Sequence, residues 1–133
     1  PGMVAADYGR IINVISTSVR EPLPGLGVSN TTRGAMASWS KTLAKELPPM
    51  ITINNVLPGY TDTDRLSELK TALGARRGMA PEQVEREWLA SVPMGRLGRP
   101  EEIAAVAVFL ASPAASYVRG QSIAADCGRL NAI

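Results

Sequence analysis

The organisation of this chain is set by residues 16–63, which read STSVREPLPGLGVSNTTRGAMASWSKTLAKELPPMITINNVLPGYTDT. Hydroxyl residues open the stretch, a loop rich in proline and glycine follows, and a proline-free run then continues to the two prolines at 48 and 49. In that run, apolar side chains recur at helical spacing, namely Met36, Trp39, Leu43 and Leu47. We therefore predict a helix over residues 30–47.

The other side of that predicted helix is small, since it carries Gly34, Ala35, Ala37 and Ser38. A small face lets a helix lie close to a sheet or to a partner helix. After the two prolines, the apolar residues within 52–57 predict a short strand, which the Pro58-Gly59 turn ends.

The rest of the chain alternates between strand and helix patterns. Residues 1–7 are typical of a helix end, residues 8–10 of a turn, and residues 11–15 of a strand that is buried on both faces. Further helices are predicted over 64–73, 81–90 and 100–110, and a last strand over 122–125. This alternation predicts an α/β fold with a parallel sheet and right-handed crossovers.

Local signals place the ends of these elements. The long helix opens near Ser29, with Asn30 and Thr31 as competing caps, and Thr61 or Asp62 is expected to cap the next helix. Residues 74–78 are expected to break that second helix. The adjacent arginines at 76 and 77 are then interpreted as part of a solvated loop.

The composition argues against several classes of function. A net charge of +2 over 133 residues favours neither a nucleic-acid partner nor an acidic one. The chain has no histidine and one cysteine, Cys127, so His-based triads and internal disulfides are excluded and no metal site is expected. Because no apolar run reaches membrane-spanning length and no signal peptide is visible, we expect a cytoplasmic protein without a membrane partner.

Three runs of sequence carry a resemblance to a known family. They are ISTS at 15–18, SKTLAKEL at 40–47 with INNVLPGYTDT at 53–63, and PMGRLGRPEEIAAVAVFLASPAASYVRGQSIAADCG at 93–128. In order and spacing they resemble the second half of a short-chain dehydrogenase/reductase, close to the 3-oxoacyl-carrier-protein reductase branch. The resemblance implies strands five to seven of a Rossmann-type doubly wound parallel sheet. It makes residues 1–133 part of one domain, with 64–93 as a helical insertion on the substrate side.

The resemblance also implies an amino-terminal half that would hold the glycine-rich turn for the cofactor pyrophosphate. This chain has no initiator methionine and no G-x-G-x-x-G cluster after a strand. We therefore expect a C-terminal fragment. Three strands alone would expose an unpaired edge, so we expect the fragment to fold poorly by itself.

The catalytic set that the family implies is a serine after the fifth strand, a tyrosine thirteen positions later and a lysine four further on. Here Ser16, Ser29 and Arg33 occupy those positions. A phenol begins near a pKa of about 10 and an aliphatic hydroxyl is a far weaker acid, while arginine keeps its charge without trading protons near neutrality. The set is therefore expected to be degenerate. Ser16 has a second interpretation, as an ordinary strand terminator.

The turn after the second strand resembles the family's contact with the nicotinamide of NAD or NADP. It supplies Pro58, Gly59, Thr61 and Thr63, and Arg33 would lie near the ribose. The alternative is a common loop. Tyr60 is the phenol beside this turn, and it is expected either to supply the missing proton or, more simply, to pack as part of the helical insertion.

The resemblance implies an NAD(P)-dependent oxidoreductase that interconverts a carbonyl and an alcohol on a small carbonyl or acyl substrate. The alternative is a non-catalytic protein on the same fold that binds dinucleotide or acts as a scaffold. Family members usually pair through the helices that correspond to 30–47 and 100–110, so we expect a homodimer or homotetramer.

Overall fold

The computed structural model describes residues 1–132, so the last position of the predicted range 1–133 lies outside them. The elements in chain order are α1 (Gly2–Ala5), β1 (Gly9–Val14), α2 (Gly27–Glu46), β2 (Ile51–Pro58), α3 (Asp64–Arg77), α4 (Pro81–Leu89), α5 (Pro100–Ala111) and β3 (Ser122–Ala125). Two short 3₁₀ turns lie at Thr17–Val19 and Pro113–Ala115.

Within residues 1–132 the three strands form one parallel sheet in the order β1-β2-β3. Gly9 of β1 pairs with Ile51 of β2, and Asn55 of β2 pairs with Ser122 of β3. This arrangement confirms the predicted parallel α/β class. Because β2 has a neighbour on each side, all of its residues from 51 to 57 are buried.

β1 differs from its prediction in two ways. It begins at Gly9, inside the predicted turn, because the glycine lets Met3 and Ile51 approach closely; a Cβ there would lie 2.8 Å from the Met3 side chain and 2.9 Å from that of Ile51. The expectation of burial on both faces is also wrong, since Val14 is 58% exposed. The physical reason is that, among the strands of residues 1–132, β1 pairs with β2 alone and lies at an edge of the sheet.

Helices cover both faces of the sheet. Successive strand residues point to opposite faces, so Asn55 and Val56 of β2 face different helices. On the α5 face, Val56, Leu110 and Ala115 form a fully buried apolar cluster. On the α2 face, the buried helix residue is Ser40, and its Oγ lies 2.8 Å from Asn55 Oδ1. The sheet is therefore wound on both sides, as predicted.

α2 begins before its predicted start, with Leu26 as the N-cap and no side-chain capping bond. The predicted caps Ser29, Asn30 and Thr31 therefore lie inside the helix. Asn30 instead turns back to the preceding loop, where its Nδ2 donates to the Leu23 carbonyl at 2.9 Å. A polar side chain that was expected to start the helix thus closes the loop before it.

α2 faces the sheet through Ser40, its buried residue, and Leu47 on the same side of the helix is half-buried. Of the predicted apolar stripe, Met36 and Trp39 are 38% and 49% exposed. Ser38 of the predicted small side is exposed and lies nearly opposite Ser40, so the contact with the sheet is not made by that side as a whole.

α3 and α4 form a hairpin in which α3 runs on to residue 77, so the predicted break at 74 is wrong. Gly74 lies inside the helix because the returning chain passes over it; a Cβ there would lie 2.7 Å from the Met79 carbonyl oxygen. The arginines at 76 and 77 belong to the last helical turn rather than to a loop, and Arg77 Nη1 pairs with Glu87 Oε2 at 2.9 Å. The helix ends at Gly78, whose φ is +66°.

Two of the remaining helices match their predictions closely. α4 begins at a proline in its first turn and buries Val84 and Trp88. α5 also begins at a proline and buries Leu110. None of the helices in the described part of the chain is long and apolar enough to cross a membrane.

Candidate functional site

A cavity of about 440 Å³ opens at the carboxyl ends of β1 and β2. In a parallel sheet, the loops that follow neighbouring strands meet at this edge. The structure brings every predicted site residue to the wall of this cavity, namely Ser16, Ser29, Arg33, Pro58, Gly59, Thr61 and Thr63. Their roles in binding and catalysis stay predictions.

Ser16 lies just beyond β1 and also has a local structural task. Its Oγ accepts the Ser18 backbone N–H at 3.0 Å and caps the 3₁₀ turn that follows. That contact supports the interpretation of Ser16 as a terminator. It uses only a lone pair, however, so the hydroxyl proton can still be donated to a ligand in the cavity.

Ser29 and Arg33 lie one turn apart in the first part of α2, on the side that faces the cavity. Arg33 Nε donates to Ser29 Oγ at 3.1 Å, and Arg33 Nη1 donates to the Ile15 carbonyl at the end of β1. The guanidinium is therefore tied to the strand end. The Ser29 oxygen accepts from it and keeps its own proton free to donate.

Gly59 is required by packing within the chain. Its N–H donates to the Ala125 carbonyl at 3.1 Å, and a Cβ at this position would lie 2.7 Å from Asp126 Cβ. The Pro58-Gly59 turn therefore lets the ends of β2 and β3 approach each other, independently of any cofactor. Pro58 and Gly59 also line the cavity. The sequence pattern alone did not distinguish this possible binding role from the packing role.

The two threonines after this turn hydrogen-bond within the loop. Thr61 Oγ1 donates to the Gly59 carbonyl at 3.2 Å, and Thr63 Oγ1 donates to the Thr61 carbonyl at 3.3 Å. Thr63 also accepts the Leu66 N–H at 3.3 Å and so caps α3, which corrects the prediction of Thr61 or Asp62. Since both hydroxyl protons are engaged, these side chains offer acceptors to a ligand.

Tyr60 packs on the helical insertion. Its ring stacks on Trp88, with centroids 5.0 Å apart and planes at 14°. Trp88 is 9% exposed, so a buried side chain of α4 packs against the loop that follows β2. The contact agrees with the packing role expected for Tyr60, which also lines the cavity.

No sequence motif pointed to Arg129, although it lines the cavity beside the predicted residues. Its guanidinium carbon lies 5.0 Å from the centroid of the Tyr60 ring, and its Nη2 donates to Thr17 Oγ1 at 3.0 Å. The available signal was its position, because Arg129 follows the last parallel strand as Ser16 follows the first.

The cavity is positively charged. Three arginines line it, Arg33, Arg65 and Arg129, and within residues 1–132 no aspartate or glutamate does. Arg65 pairs with Glu68 at 3.5 Å near the surface, whereas the structure gives Arg33 and Arg129 no carboxylate partner among the described residues. The arrangement therefore favours a ligand that carries negative charge.

A second cavity of about 330 Å³ shares Tyr60 with the first and is lined by the ion pair of Arg96 and Glu102. Glu102 Oε1 accepts from Arg96 Nη2 at 2.7 Å, and Glu102 Oε2 accepts the Arg99 N–H at 2.7 Å. These bonds lower the pKa of Glu102 to about 2, the Arg96 contact contributing most. The ion pair anchors the start of α5. Stabilisation of that helix is therefore enough to explain the lowered pKa of Glu102.

Comparison with known proteins gives a family match over most of the chain. The family model described as enoyl-(acyl carrier protein) reductase matches residues 1–129. The chain is 34% identical over 128 residues to the NADPH-dependent reductase BacG of Bacillus subtilis, which covers 96% of this chain and 49% of the relative. It is 40% identical over 125 residues to the short-chain reductase protein NovJ of Streptomyces niveus, covering 92% and 45%. The chain thus spans about half the length of the curated relatives it matches.

Solved structures agree with this match. The structure of YwfH, an NADPH-dependent reductase involved in bacilysin biosynthesis, superposes with a TM-score of 0.90 at 34% identity, covering 98% of this chain and 50% of that one. L-sorbose reductase from Gluconobacter frateurii, solved with NADPH and L-sorbose, gives 0.89 at 31%, covering 100% and 51%. These similarities confirm the predicted Rossmann-type fold.

Proposed function

The chain belongs to the short-chain dehydrogenase/reductase family, and on that premise we propose that its protein is an NAD(P)-dependent oxidoreductase that interconverts a carbonyl and an alcohol. The observation that carries the proposal is that the seven residues at positions taken from the family's pattern all line one cavity at the carboxyl edge of the sheet. The curated relatives named above are reductases. The substrate is a small carbonyl or acyl compound.

The residues present fit the nicotinamide and ribose end of such a cofactor. Arg33 offers donors for ribose hydroxyls, since Nε and Nη1 are anchored and the described residues give Nη2 no partner. Thr61 and Thr63 offer oxygen acceptors for an amide, while the leucines of the wall offer an apolar surface for a ring. When bound, NAD or NADP supplies or accepts the hydride.

The proton chemistry falls to two hydroxyls. Ser16 keeps a proton that it can donate to a carbonyl oxygen, and so does Ser29, whose oxygen already accepts from Arg33. An aliphatic hydroxyl is nevertheless a weak acid, and the guanidinium cannot relay protons near neutrality. General acid–base catalysis contributes roughly 10²–10⁴-fold in enzymes, and much of that gain is absent here.

The second candidate function is dinucleotide binding without turnover, or a scaffold on the same fold. It is favoured by the serine at position 29, and by the anchoring of Arg33 to Ser29 and the Ile15 carbonyl. Catalysis and binding without turnover both require a bound nicotinamide dinucleotide, whereas a scaffold does not. The first two differ in whether a carbonyl substrate is turned over.

Titration of the intact protein with NAD and with NADP, followed by reduction assays on small ketones, tests the proposal. We expect micromolar cofactor binding, a slow wild type, and faster ketone reduction in the double variant Ser29→Tyr with Arg33→Lys. The physical reason is that a phenol beside a lysine cation is a stronger acid than a serine hydroxyl. Absence of binding by both cofactors would exclude the proposed function.

A matched control places the new phenol outside the cavity. Val28 precedes Ser29, is 83% exposed and does not line the cavity, so Val28→Tyr with Arg33→Lys introduces the same residue types in the wrong direction. The control pair is expected to stay slow. Cofactor binding with no turnover in either pair would favour the non-catalytic alternative.

Two further features belong to this proposal. We place the α3–α4 hairpin on the substrate side, because its Leu66 and Leu69 line the cavity. The protein is also proposed to form a homodimer or homotetramer, since α2 presents Met36 and Trp39 outward and α5 presents Val108 and Phe109. The mass of the intact protein in solution tests the assembly, and the cytoplasmic location stays a prediction.

A further inference from the structure

We propose that the substrate of this site is anionic, a carbonyl compound whose carboxylate binds Arg129. The inference rests on the proposed function, because it names the substrate class of the same cavity. It depends on how Arg129 is held, on which of its donors are free, and on the charge of the surrounding wall.

Arg129 is held in place by rigid neighbours. Its Nη2 donates to Thr17 Oγ1 at 3.0 Å, and Thr17 is 3% exposed. Its guanidinium also lies over the ring of Tyr60, which itself stacks on the buried Trp88. A cation that is already ordered loses little conformational freedom when a ligand binds, which makes it a preorganised binding group.

Part of the same guanidinium is left without a partner. Arg129 Nε is buried and makes no hydrogen bond within the described chain. That nitrogen is closed off from the cavity, whereas Nη1 has no hydrogen-bond partner among the described residues and remains available to a ligand. A carboxylate is the natural partner, because its two oxygens match the geometry of the guanidinium donors.

The charge around Arg129 points to the same class of ligand. The described wall contains no carboxylate that could neutralise it, and Arg65 adds a second positive charge. Arg33 has two of its nitrogens engaged by Ser29 and the Ile15 carbonyl, so it competes less for a substrate anion. In a cleft with apolar walls, like charges raise the local concentration of an oppositely charged ligand.

The shape of the cavity adds the rest of the substrate. Arg129 shares it with the hydroxyls of Ser16 and Ser29, so an anion held by the arginine belongs to the molecule whose carbonyl faces the serines. The remaining wall is largely aliphatic and is supplied by Leu23, Leu26, Leu66, Leu69 and Ile103. An oxo acid with an apolar body fits this combination.

Calorimetric titration of the intact protein with matched ketones tests the inference. Levulinate carries a ketone and a carboxylate, methyl levulinate is its neutral ester, and dihydroxyacetone phosphate with dihydroxyacetone forms the corresponding phosphate pair. We expect levulinate to bind more tightly than its ester, and Arg129→Met to weaken levulinate binding roughly ten- to a hundredfold while leaving the ester unchanged. Arg129→Lys should keep part of the affinity.

Arg76→Gln is the matched control, since it removes one positive charge from an exposed helix position away from the cavity. It should leave levulinate binding unchanged. Equal loss for acid and ester in a folded Arg129→Met protein would assign a packing role to Arg129 and overturn the inference. A preference confined to the phosphate pair would overturn the carboxylate assignment.

The cofactor titration separates this inference from the proposed function. If Arg129→Met loses NADP affinity as strongly as levulinate affinity, the arginine serves a cofactor phosphate and the inference is wrong. If the wild type binds neither NAD nor NADP but binds levulinate in an Arg129-dependent manner, the proposed function fails and the anion site stands.

Discussion

The two faces of the sheet are built from alternate residues of the same strands, yet they hold their helices differently: through apolar contacts on the α5 side, and through side-chain hydrogen bonds as well on the α2 side. On the α5 side, Val56 and Leu110 are both fully buried in an apolar cluster. On the α2 side, Asn13, Ser40 and Asn55 meet through hydrogen bonds. Apolar contacts are non-directional, whereas hydrogen bonds demand particular distances and angles. The apolar contacts of α5 therefore contribute mainly stability, whereas the hydrogen bonds of α2 also fix the position of that helix.

The hydrogen-bonded side chains on the α2 side form a continuous row across the sheet. Asn13 Nδ2 of β1 donates to Ser40 Oγ at 2.9 Å, and Asn55 Nδ2 of β2 donates to Ser122 Oγ of β3 at 3.0 Å. Asn13 Nδ2 also donates to Asn55 Oδ1 at 3.1 Å, which joins the two halves, and Ser40 Oγ donates to the same oxygen at 2.8 Å, which ties α2 to the row. Since α2 also carries Ser29 and Arg33, this row orients the candidate site.

The largest effect is expected on the apolar side. Leu110 is 0% exposed, so Leu110→Ala removes buried methyl groups and leaves a cavity, with an expected loss of about 2–5 kcal/mol in the free energy of unfolding. Chemical denaturation of the intact protein measures it. Val108 lies on the same helix and is 67% exposed, so Val108→Ala should change stability by about 0.5 kcal/mol or less. Similar losses for both would show that the buried apolar cluster is not the main source of stability on the α5 side.

Changes in the hydrogen-bonded row on the α2 side are expected to lower stability less, but to lower cofactor affinity as well. Ser40→Ala removes a hydroxyl that bonds to Asn13 and Asn55, but Asn13 Nδ2 still donates to Asn55 Oδ1 at 3.1 Å, so the expected cost is about 0.5–1.5 kcal/mol. Because α2 loses its tie to the row, cofactor affinity should fall as well, in contrast to Leu110→Ala measured below its unfolding transition. Thr42→Ala, at an exposed position of α2, is the control and should change neither quantity. Unchanged cofactor affinity in Ser40→Ala would show that other contacts orient the helix.

The smallest effect on stability is expected on the outer side of α2. Trp39 is 49% exposed, so Trp39→Glu should alter the unfolding free energy of an isolated protomer little, yet it places a charge in the proposed interface. We expect the mass from light scattering to fall toward that of a monomer at micromolar concentration. Lys45→Glu, at an exposed position later on the same helix, serves as the charge control. A wild type that is already monomeric would refute the assembly.

Local sequence was enough to predict the order of elements, and the resemblance to the family supplied most of the candidate site. The apolar spacing within 100–110 and the proline before it predicted α5 because both signals act within one or two helical turns. The resemblance to the family pointed to Ser16, Ser29 and Arg33, and their convergence on one cavity follows from the placement of loops at the carboxyl edge of a parallel sheet. Periodicity and spacing are properties of a short segment, and a short segment displays them fully.

Tertiary structure alone decided which surfaces meet. The apolar run in β1 predicted a buried central strand. In the described residues β1 instead lies at the edge of the sheet beside β2, and Val14 at its end is exposed. Hydrogen bonds to Asn13 and Asn55 of the sheet placed Ser40, a polar residue, at the contact between α2 and the sheet. Arg129 entered the cavity because β3 ends beside β2 and Gly59 permits the close approach of Asp126. Each outcome depends on partners distant in sequence, and therefore only the assembled fold determines it.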